Sequence, residues 1–243
     1  MVYNFREAVK FLLDESSVSR TPSDYVDRMR TFCDSFLRNV RDFGMMNLSD
    51  AEDLIQGMLL KADDYLAKLG DDWRYTMEYT ISEMEFALKE IQKSWGIADK
   101  SVGLCESIKN KILDFGETLS VDESSCRFNE CRFRDVREAE SSDLDGVGVC
   151  KHFLGILERV KVLVKDAYDR ILVRGESLIA DMKRVTESEL VKGGDVKVVL
   201  RKVINEIDQI SKNFLYIKES LSNTLEAFSG VLDELTWVVR NKR

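Results

Sequence analysis

The residues most able to do chemistry in this sequence are four potential metal ligands near its middle. Cys126 and Cys131 are separated by four residues, and Cys150 and His152 follow further along the chain. Three thiolates and one imidazole are sufficient to close a tetrahedral zinc site. The spacing departs from the Cys-x2-Cys pattern of common zinc sites, so reduced cysteines in a linker are the ordinary interpretation. We predict no bound metal and no cofactor, and keep these four residues as weak metal candidates.

Catalysis by an imidazole base has little support, because the chain contains a single histidine. Histidine is the side chain most often used as a general base near neutral pH. Cys150 and His152 are two residues apart, so on a helix their side chains point about 200° apart and cannot form a nucleophile and base pair. The sequence also lacks the Gly-x-Ser-x-Gly, phosphate-loop and dinucleotide-binding motifs. We therefore predict that the protein is not an enzyme and has no catalytic residues.

A short repeated unit of cysteine, arginine and phenylalanine lies in the same region. Arginine and aromatic side chains together are common in the hot spots of protein interfaces. They can also stack on nucleic acid bases, but acidic neighbours dilute the positive charge here, so we do not predict nucleic acid as a partner. The repeat predicts protein binding by Arg127, Phe128, Arg132, Phe133 and Arg134.

A cluster of basic residues surrounds the connection between the last two predicted helices. Its members are Lys192, Lys197, Arg201 and Lys202, and we refer to these four residues as the basic tip. A solvated helix end is the ordinary interpretation of such a cluster. Contact with an acidic partner or with anionic lipid is the functional one. These residues are the second set of candidates for partner binding.

The composition favours helices and an intracellular compartment. In 243 residues there is one proline, 33% of the residues are charged and 44% are hydrophobic, so little interrupts a helix. The first residues lack the pattern of a secretion signal, and no apolar run approaches the roughly 18 residues of a membrane-spanning helix. The number of cysteines is odd, and two of them fall on apolar helical stripes. We predict reduced thiols and a soluble, cytoplasmic protein.

Hydrophobic spacing predicts a series of helices along the first half of the chain. Residues 4–15 form a short amphipathic helix. A second helix is predicted to begin at Pro22, in the first turn after an N-cap, and to end at Gly44. A third helix begins at a capping box whose first residue is Ser49, and this helix ends at Gly70. The short loop between the second and third helices predicts that they form an antiparallel hairpin. Helical periodicity then continues over 72–119, as one helix or as two.

The second half begins with a polar segment over 120–148 and continues with two long helices. The first of these runs to about Leu190. The last helix has apolar residues at alternating spacings of four and three, which favours coiled-coil packing. The residues of this repeat are Val203, Ile207, Ile210, Phe214, Ile217, Leu221, Thr224, Phe228, Val231, Leu235 and Val238.

These elements predict an all-α fold, an elongated antiparallel helical bundle with coiled-coil-like long helices. We divide the chain into an N-terminal helical segment over 1–119, a polar linker over 120–148 and a C-terminal helical hairpin over 149–243, which pack as one bundle. The apolar stripes, with Trp73, Trp95 and Trp237, are assigned to the packed core. Periodicity does not distinguish packing within one chain from packing against a second copy, so a homodimer stays open.

The function predicted from these features is that of a non-enzymatic helical scaffold or adaptor, which binds protein partners through helix surfaces. One alternative is a peripheral membrane-binding bundle that uses the N-terminal helix and the basic tip. Long antiparallel helices behind a short amphipathic N-terminal helix resemble the general plan of membrane-curving BAR-type modules, in architecture alone and without a shared motif. A third hypothesis is a metal-binding or ligand-binding bundle centred on the cysteine and histidine residues of the linker.

Overall fold

The computed structural model describes residues 22–117, 146–192 and 196–241. Within these ranges the chain is helical apart from short turns and contains no β-strand, so the predicted all-α bundle is confirmed. The helix predicted over 4–15 and most of the polar linker lie outside the described residues. None of the described helices is both long and apolar enough to cross a membrane.

The described helices follow one another with few breaks. The segment predicted over 72–119 as one helix or two is a single helix within the described residues, Asp71–Glu117. Two stretches have the wider π-helical hydrogen-bonding pattern, and each continues directly into an α-helix. The elements are α1 (Pro22–Leu37), a first π-helical segment (Arg38–Met45), α2 (Met46–Leu60), α3 (Ala62–Lys68), α4 (Asp71–Glu117), α5 (Gly146–Tyr168), a second π-helical segment (Asp169–Arg174), α6 (Gly175–Lys192) and α7 (Lys197–Asn241).

The predicted helix end at Gly44 is wrong. The chain passes through Gly44 in the first π-helical segment and enters α2, so Ser49 lies inside a helix and caps nothing. Gly44 is buried, and a β-carbon on it would overlap the side chain of Ile171. The glycine therefore permits a close approach between two helices, and it does not terminate one. The chain reverses instead at Leu69 and Gly70, after α3.

The described residues form two compact units, each built from three separate stretches of the chain. The first unit is built from the described parts of 1–47, 93–120 and 166–219. In it α1 packs against α6, and the two π-helical segments pack against each other. The rings of Phe36 and Phe214 stack with their centres 5.8 Å apart. The first unit is thus a helical assembly with its own aromatic core.

The second unit is built from the described parts of 48–92, 121–165 and 220–243. Tyr65 of α3 packs edge-on against Phe153 of α5, with ring centres 5.4 Å apart. The Lys161 ammonium donates a hydrogen bond to the Ser229 hydroxyl at 2.9 Å, which joins α5 to α7. This unit therefore also has a core of its own and polar contacts between its helices.

The apolar repeat of α7 is confirmed residue by residue, since all eleven of its positions are buried. Each fully buried large apolar side chain contributes about 1.5–3 kcal/mol to folding. The predicted stripe of α4 is correct only in part. Met77, Met84 and Ile91 are buried as expected, but Trp95 is 39% exposed. Small side chains are also buried on α4, where they allow neighbouring helices to approach; these are Thr80, Ala87, Ser94 and Ser101.

Candidate partner-binding surfaces

Large aromatic side chains are exposed along one side of the second unit, where α4 lies beside α7. Tyr75, Tyr79 and Phe86 of α4 are 78%, 39% and 43% exposed, and Trp237 of α7 is 56% exposed. Contiguous exposed apolar surface on a folded protein often marks a binding site. We call this surface the aromatic seam and define it by Tyr75, Tyr79, Glu83, Phe86, Gly230, Glu234 and Trp237.

Two contacts establish how α4 and α7 run along the seam. The hydroxyl of Tyr79 lies 3.6 Å from the place that a β-carbon on Gly230 would take. The Ser220 hydroxyl donates a hydrogen bond to the backbone carbonyl of Glu90 at 3.2 Å. Glu90 follows Tyr79 along α4, whereas Ser220 precedes Gly230 along α7. The two helices are therefore antiparallel at the seam.

The spacing of the aromatic residues spreads them along this antiparallel pair. Phe86 comes seven residues after Tyr79, and Trp237 comes seven residues after Gly230. Seven residues are about two helical turns. Phe86 therefore lies on the same face of α4 as Tyr79, and Trp237 on the same face of α7 as Gly230, each about 10 Å further along its helix axis. Because the helices run in opposite directions, Phe86 and Trp237 lie on opposite sides of the contact between Tyr79 and Gly230.

Carboxylates flank the centre of the seam. Desolvation raises the pKa of the Tyr79 phenol, and the negative charges of Glu83 and Glu234 raise it further, with a smaller effect of Tyr75. The carboxylates therefore lie close enough to the phenol to affect its ionisation. Neither Glu83 nor Glu234 forms an ion pair with a residue in the described ranges. The seam combines aromatic surface with unpaired negative charge.

This surface is not predicted from the sequence, and the predicted place of two tryptophans in the core is wrong. Trp237 and Trp95 are exposed, whereas Trp73 lies against Gly146, with ring atoms 3.1 Å from the place of a β-carbon there. Trp237 directly precedes Val238, which belongs to the regular apolar repeat of α7. That one-residue offset from the repeat is the signal that could have indicated an exposed position.

The residues of the basic tip belong to the first unit and are exposed on either side of the connection between α6 and α7. Lys192 donates a hydrogen bond to Glu189 at 2.7 Å. Lys197, Arg201 and Lys202 are exposed and form no ion pair with described residues. Basic side chains in the first turns of a helix oppose its macrodipole, so their placement here does not contribute to helix stability.

Two exposed valines accompany the basic tip. Val191, near the end of α6, is 86% exposed, and Val198, in the first turn of α7, is 61% exposed. Val198 lies between Lys197 and Arg201 in the sequence. The end of this helix pair therefore presents positive charge and small apolar side chains together.

The predicted metal candidates are described only in part. The Cys150 thiol is fully buried and donates a weak hydrogen bond to the Met77 sulfur at 3.9 Å. The ring of His152 lies beside Tyr65, with ring centres 6.1 Å apart. No group of three or more histidine, cysteine or acidic side chains is placed to hold a metal in the described part of the chain. Residues of the predicted sites that lie outside that part are Cys126, Cys131, Arg127, Phe128, Arg132, Phe133 and Arg134.

A pair of buried thiols lies inside the first unit. Cys33 of α1 and Cys105 of α4 are both fully buried and free, as their places on apolar stripes predict. The Cys105 thiol donates a weak hydrogen bond to the backbone carbonyl of Cys33 at 3.9 Å. A hydrogen bond with the Cys33 side chain and burial both raise the pKa of the Cys105 thiol well above its ordinary range. Such a thiol is unreactive, so this pair is part of the core.

Comparisons with known proteins add no family to this description. No protein-family model matches the chain, and a search of curated proteins finds no significant match.

Proposed function

We propose that this protein is a non-enzymatic helical scaffold that binds a protein partner along the aromatic seam. The observation that carries the proposal is the exposure of Tyr75, Tyr79, Phe86 and Trp237 on one side of the second unit. Aromatic residues are enriched in the cores of protein interfaces, and truncation of a central anchor typically costs about 2 kcal/mol or more of binding free energy. A surface of this kind is expected of an adaptor.

The core of the second unit supports the same proposal. The inward faces of α4 and α7 are already filled by residues such as Met77, Met84, Phe228 and Leu235, which are fully buried. The seam residues are thus additional to the apolar residues that hold the unit together. Their removal should affect binding far more than folding.

Photo-crosslinking in cells that express the protein tests this proposal. A photoreactive phenylalanine analogue is placed at Tyr75 or at Trp237, and the control carries it at Tyr216, which is 59% exposed in the first unit. We expect the same protein to be captured from both seam positions and not from the control position. The captured protein is then purified and its affinity is measured for the wild type and for the Tyr75→Ala/Trp237→Ala variant.

The expected loss is more than about tenfold in affinity, with unchanged helicity and unchanged thermal unfolding. The matched control, Leu215→Ala/Tyr216→Ala, removes two exposed apolar side chains from the first unit and should bind like the wild type. Equal capture at all three positions, or equal affinity for both double variants, would mean that the seam is not the binding surface.

We also propose, as a second candidate function, binding to an anionic membrane surface through the basic tip. The observation that favours it is the combination of unpaired Lys197, Arg201 and Lys202 with exposed Val191 and Val198. Each basic residue near such a surface contributes about 1 kcal/mol, and small apolar side chains can enter the headgroup region.

Vesicle co-sedimentation tests the second candidate. The wild type should sediment with phosphatidylserine vesicles and not with neutral vesicles, and salt should release it. Changing Lys197, Arg201 and Lys202 to glutamine should abolish binding. The control changes Lys100, Lys212 and Lys218, which are exposed in the first unit, to glutamine and should leave binding intact. Equal loss in both variants would indicate a general charge effect and would refute a role for the tip.

A further inference from the structure

We infer that the partner contacts the aromatic seam with a basic amphipathic helix. This inference rests on the function proposed above, since it names the chemistry of the partner at the same surface. The proposed occupant of the seam is a helical segment with apolar residues on one face and lysine or arginine on the flanks of that face. Two properties of the seam lead to it: its shape and its charge.

The shape of the seam follows from the two antiparallel helices that form it. A shallow groove runs between neighbouring helices, and a third helix can lie along such a groove with anchors at spacings of three, four and seven residues. The aromatic residues have the matching spacing, because Phe86 and Trp237 lie about two turns to either side of the contact between Tyr79 and Gly230. Gly230 is exposed, and because it has no side chain the Tyr79 phenol lies against it at the centre of the groove.

The charge of the seam favours a basic occupant. The parts of α4 and α7 that form this side, 71–92 and 220–241, contain nine acidic residues and three basic residues. At the centre, Glu83 and Glu234 flank Tyr79 and form no ion pair with any described residue. Positive side chains on a partner would place opposite charges beside these carboxylates and would also direct the encounter.

Acidic residues between the helices of the first unit differ from Glu83 and Glu234 in having basic partners. There the carboxylates between helices have partners within the unit: Asp34 pairs with Lys109 at 2.6 Å, and Asp208 pairs with Lys183 at 2.7 Å. Glu206 likewise pairs with Lys111. Glu83 and Glu234 differ from these three carboxylates, because no basic residue in the described ranges pairs with them.

A second copy of the chain is a poorer occupant. Three of the four basic residues of the tip, Lys197, Arg201 and Lys202, lie on α7, and the apolar face of that helix is already buried in its own core. The exposed apolar residues of α7 do not recur at spacings of three, four or seven residues, so this helix has no free apolar stripe beside its basic residues; they are Val198, Leu215, Tyr216 and Trp237. A different protein is therefore the occupant to which the inference commits.

Two designed peptides test the inference on the full chain. Both are about 18 residues long, carry leucine at helical spacing, and differ only in that their polar positions are all lysine or all glutamate. Fluorescence anisotropy of the labelled peptides gives the dissociation constants. We expect the lysine peptide to bind at least about tenfold more tightly than the glutamate peptide at low salt, and to weaken as the salt concentration rises.

Charge variants locate the site. Glu83→Gln/Glu234→Gln should weaken binding of the lysine peptide by about fivefold. The matched control, Asp99→Asn/Glu176→Gln, removes the same net charge from exposed, unpaired positions of the first unit and should bind like the wild type. Tyr75→Ala/Trp237→Ala should weaken binding by more than about tenfold. Equal effects of the two charge variants, or equal binding of the two peptides, would overturn the inference.

The outcomes separate this inference from the proposed function. If crosslinking at Tyr75 and Trp237 captures a partner but the lysine peptide does not bind the seam, the inference fails and the scaffold function stands. If neither experiment finds binding at the seam, both fail. Light scattering that shows a dimer of the wild type and a monomer of Trp237→Ala would identify a second copy as the occupant and would also overturn the inference.

Discussion

Gly44 in the first π-helical segment faces Ile171 in the second, so closely that the Ile171 side chain occupies the place of a β-carbon on Gly44. A second glycine repeats this relationship, since a β-carbon on Gly175 would lie 2.5 Å from a ring carbon of Phe214. π-helical turns are rare, and here two of them pack against each other inside the first unit. Glycine at these positions permits close contact between helices that larger side chains would separate.

Gly44→Ala should therefore destabilise the protein. The added methyl group overlaps Ile171 and lies 3.2 Å from the backbone carbonyl oxygen of Asn39, which cannot move away easily. Overpacking of this kind costs about 1–3 kcal/mol in the free energy of unfolding. Gly103→Ala is the control, because nothing lies within 4 Å of its β-carbon position in α4. It should stabilise by about 0.5–1 kcal/mol through helix propensity. Urea unfolding measures both, and a stabilising Gly44→Ala would contradict the packing described here.

Tyr25 should make the protein sensitive to alkaline pH. Its side chain is fully buried and shares a hydrogen bond with the Thr186 hydroxyl at 3.3 Å. Burial raises the pKa of the Tyr25 phenol above its ordinary value of 10.0, an effect that the Thr186 hydrogen bond opposes. The unfolded chain thus loses this proton at a lower pH than the folded protein does. The associated stability is present below pH 10 and falls above it, by about 1 kcal/mol between about pH 10 and pH 11.

The Tyr25→Phe variant isolates this effect. It should lose about 1 kcal/mol at neutral pH, because one buried hydrogen bond is removed, and it should then lose less stability than the wild type above about pH 10. Tyr216→Phe, at an exposed position, should leave the stability at neutral pH unchanged. The measurement is the free energy of unfolding by urea at several pH values. Parallel alkaline losses in the wild type and in Tyr25→Phe would show that Tyr25 does not contribute.

The thiols of Cys33, Cys105 and Cys150 should be unreactive in the folded protein. All three are fully buried, and the raised pKa of the Cys105 thiol further disfavours its reactive thiolate form. In a Cys126→Ser/Cys131→Ser variant, a chromogenic disulfide reagent should therefore find no rapidly reacting thiol before unfolding. Three thiols should react once denaturant is added. A thiol that reacts within the mixing time under native conditions would contradict the burial described here.

Removal of metal should leave the stability unchanged. Cys150 is buried against Met77, and His152 packs beside Tyr65, so both side chains contribute to the second unit without a metal. A strong chelator should not lower the melting temperature, and metal analysis of the purified chain should find no equimolar zinc. Equimolar zinc together with destabilisation by the chelator would instead support a zinc site formed by Cys150, His152 and the two cysteines at 126 and 131.

The apolar repeat of α7 shows what the sequence by itself determined. A regular alternation of spacings leaves only one helix face that can be buried, and all eleven positions of the repeat between Val203 and Val238 are buried as predicted. The helical periodicity that continues from residue 72 also corresponds to the structure, where one helix, α4, covers it as far as Glu117. Helix type, the faces of the regular helices and the all-α class depend on local periodicity and capping, and such signals are contained in short stretches of sequence.

The exposed aromatic surface and the course of the first helices were decided only by tertiary structure. Gly44 has the local character of a helix end, but the approach of Ile171 makes it a packing position. Trp237 is a large apolar residue of the kind expected in a core. It lies beside the buried repeat, however, and remains exposed because α4 and α7 fill their shared core without it. The unpaired carboxylates of the seam likewise depend on which helix lies opposite. These properties result from contacts between residues distant in sequence, and the pattern of hydrophobicity along the chain does not predict such contacts.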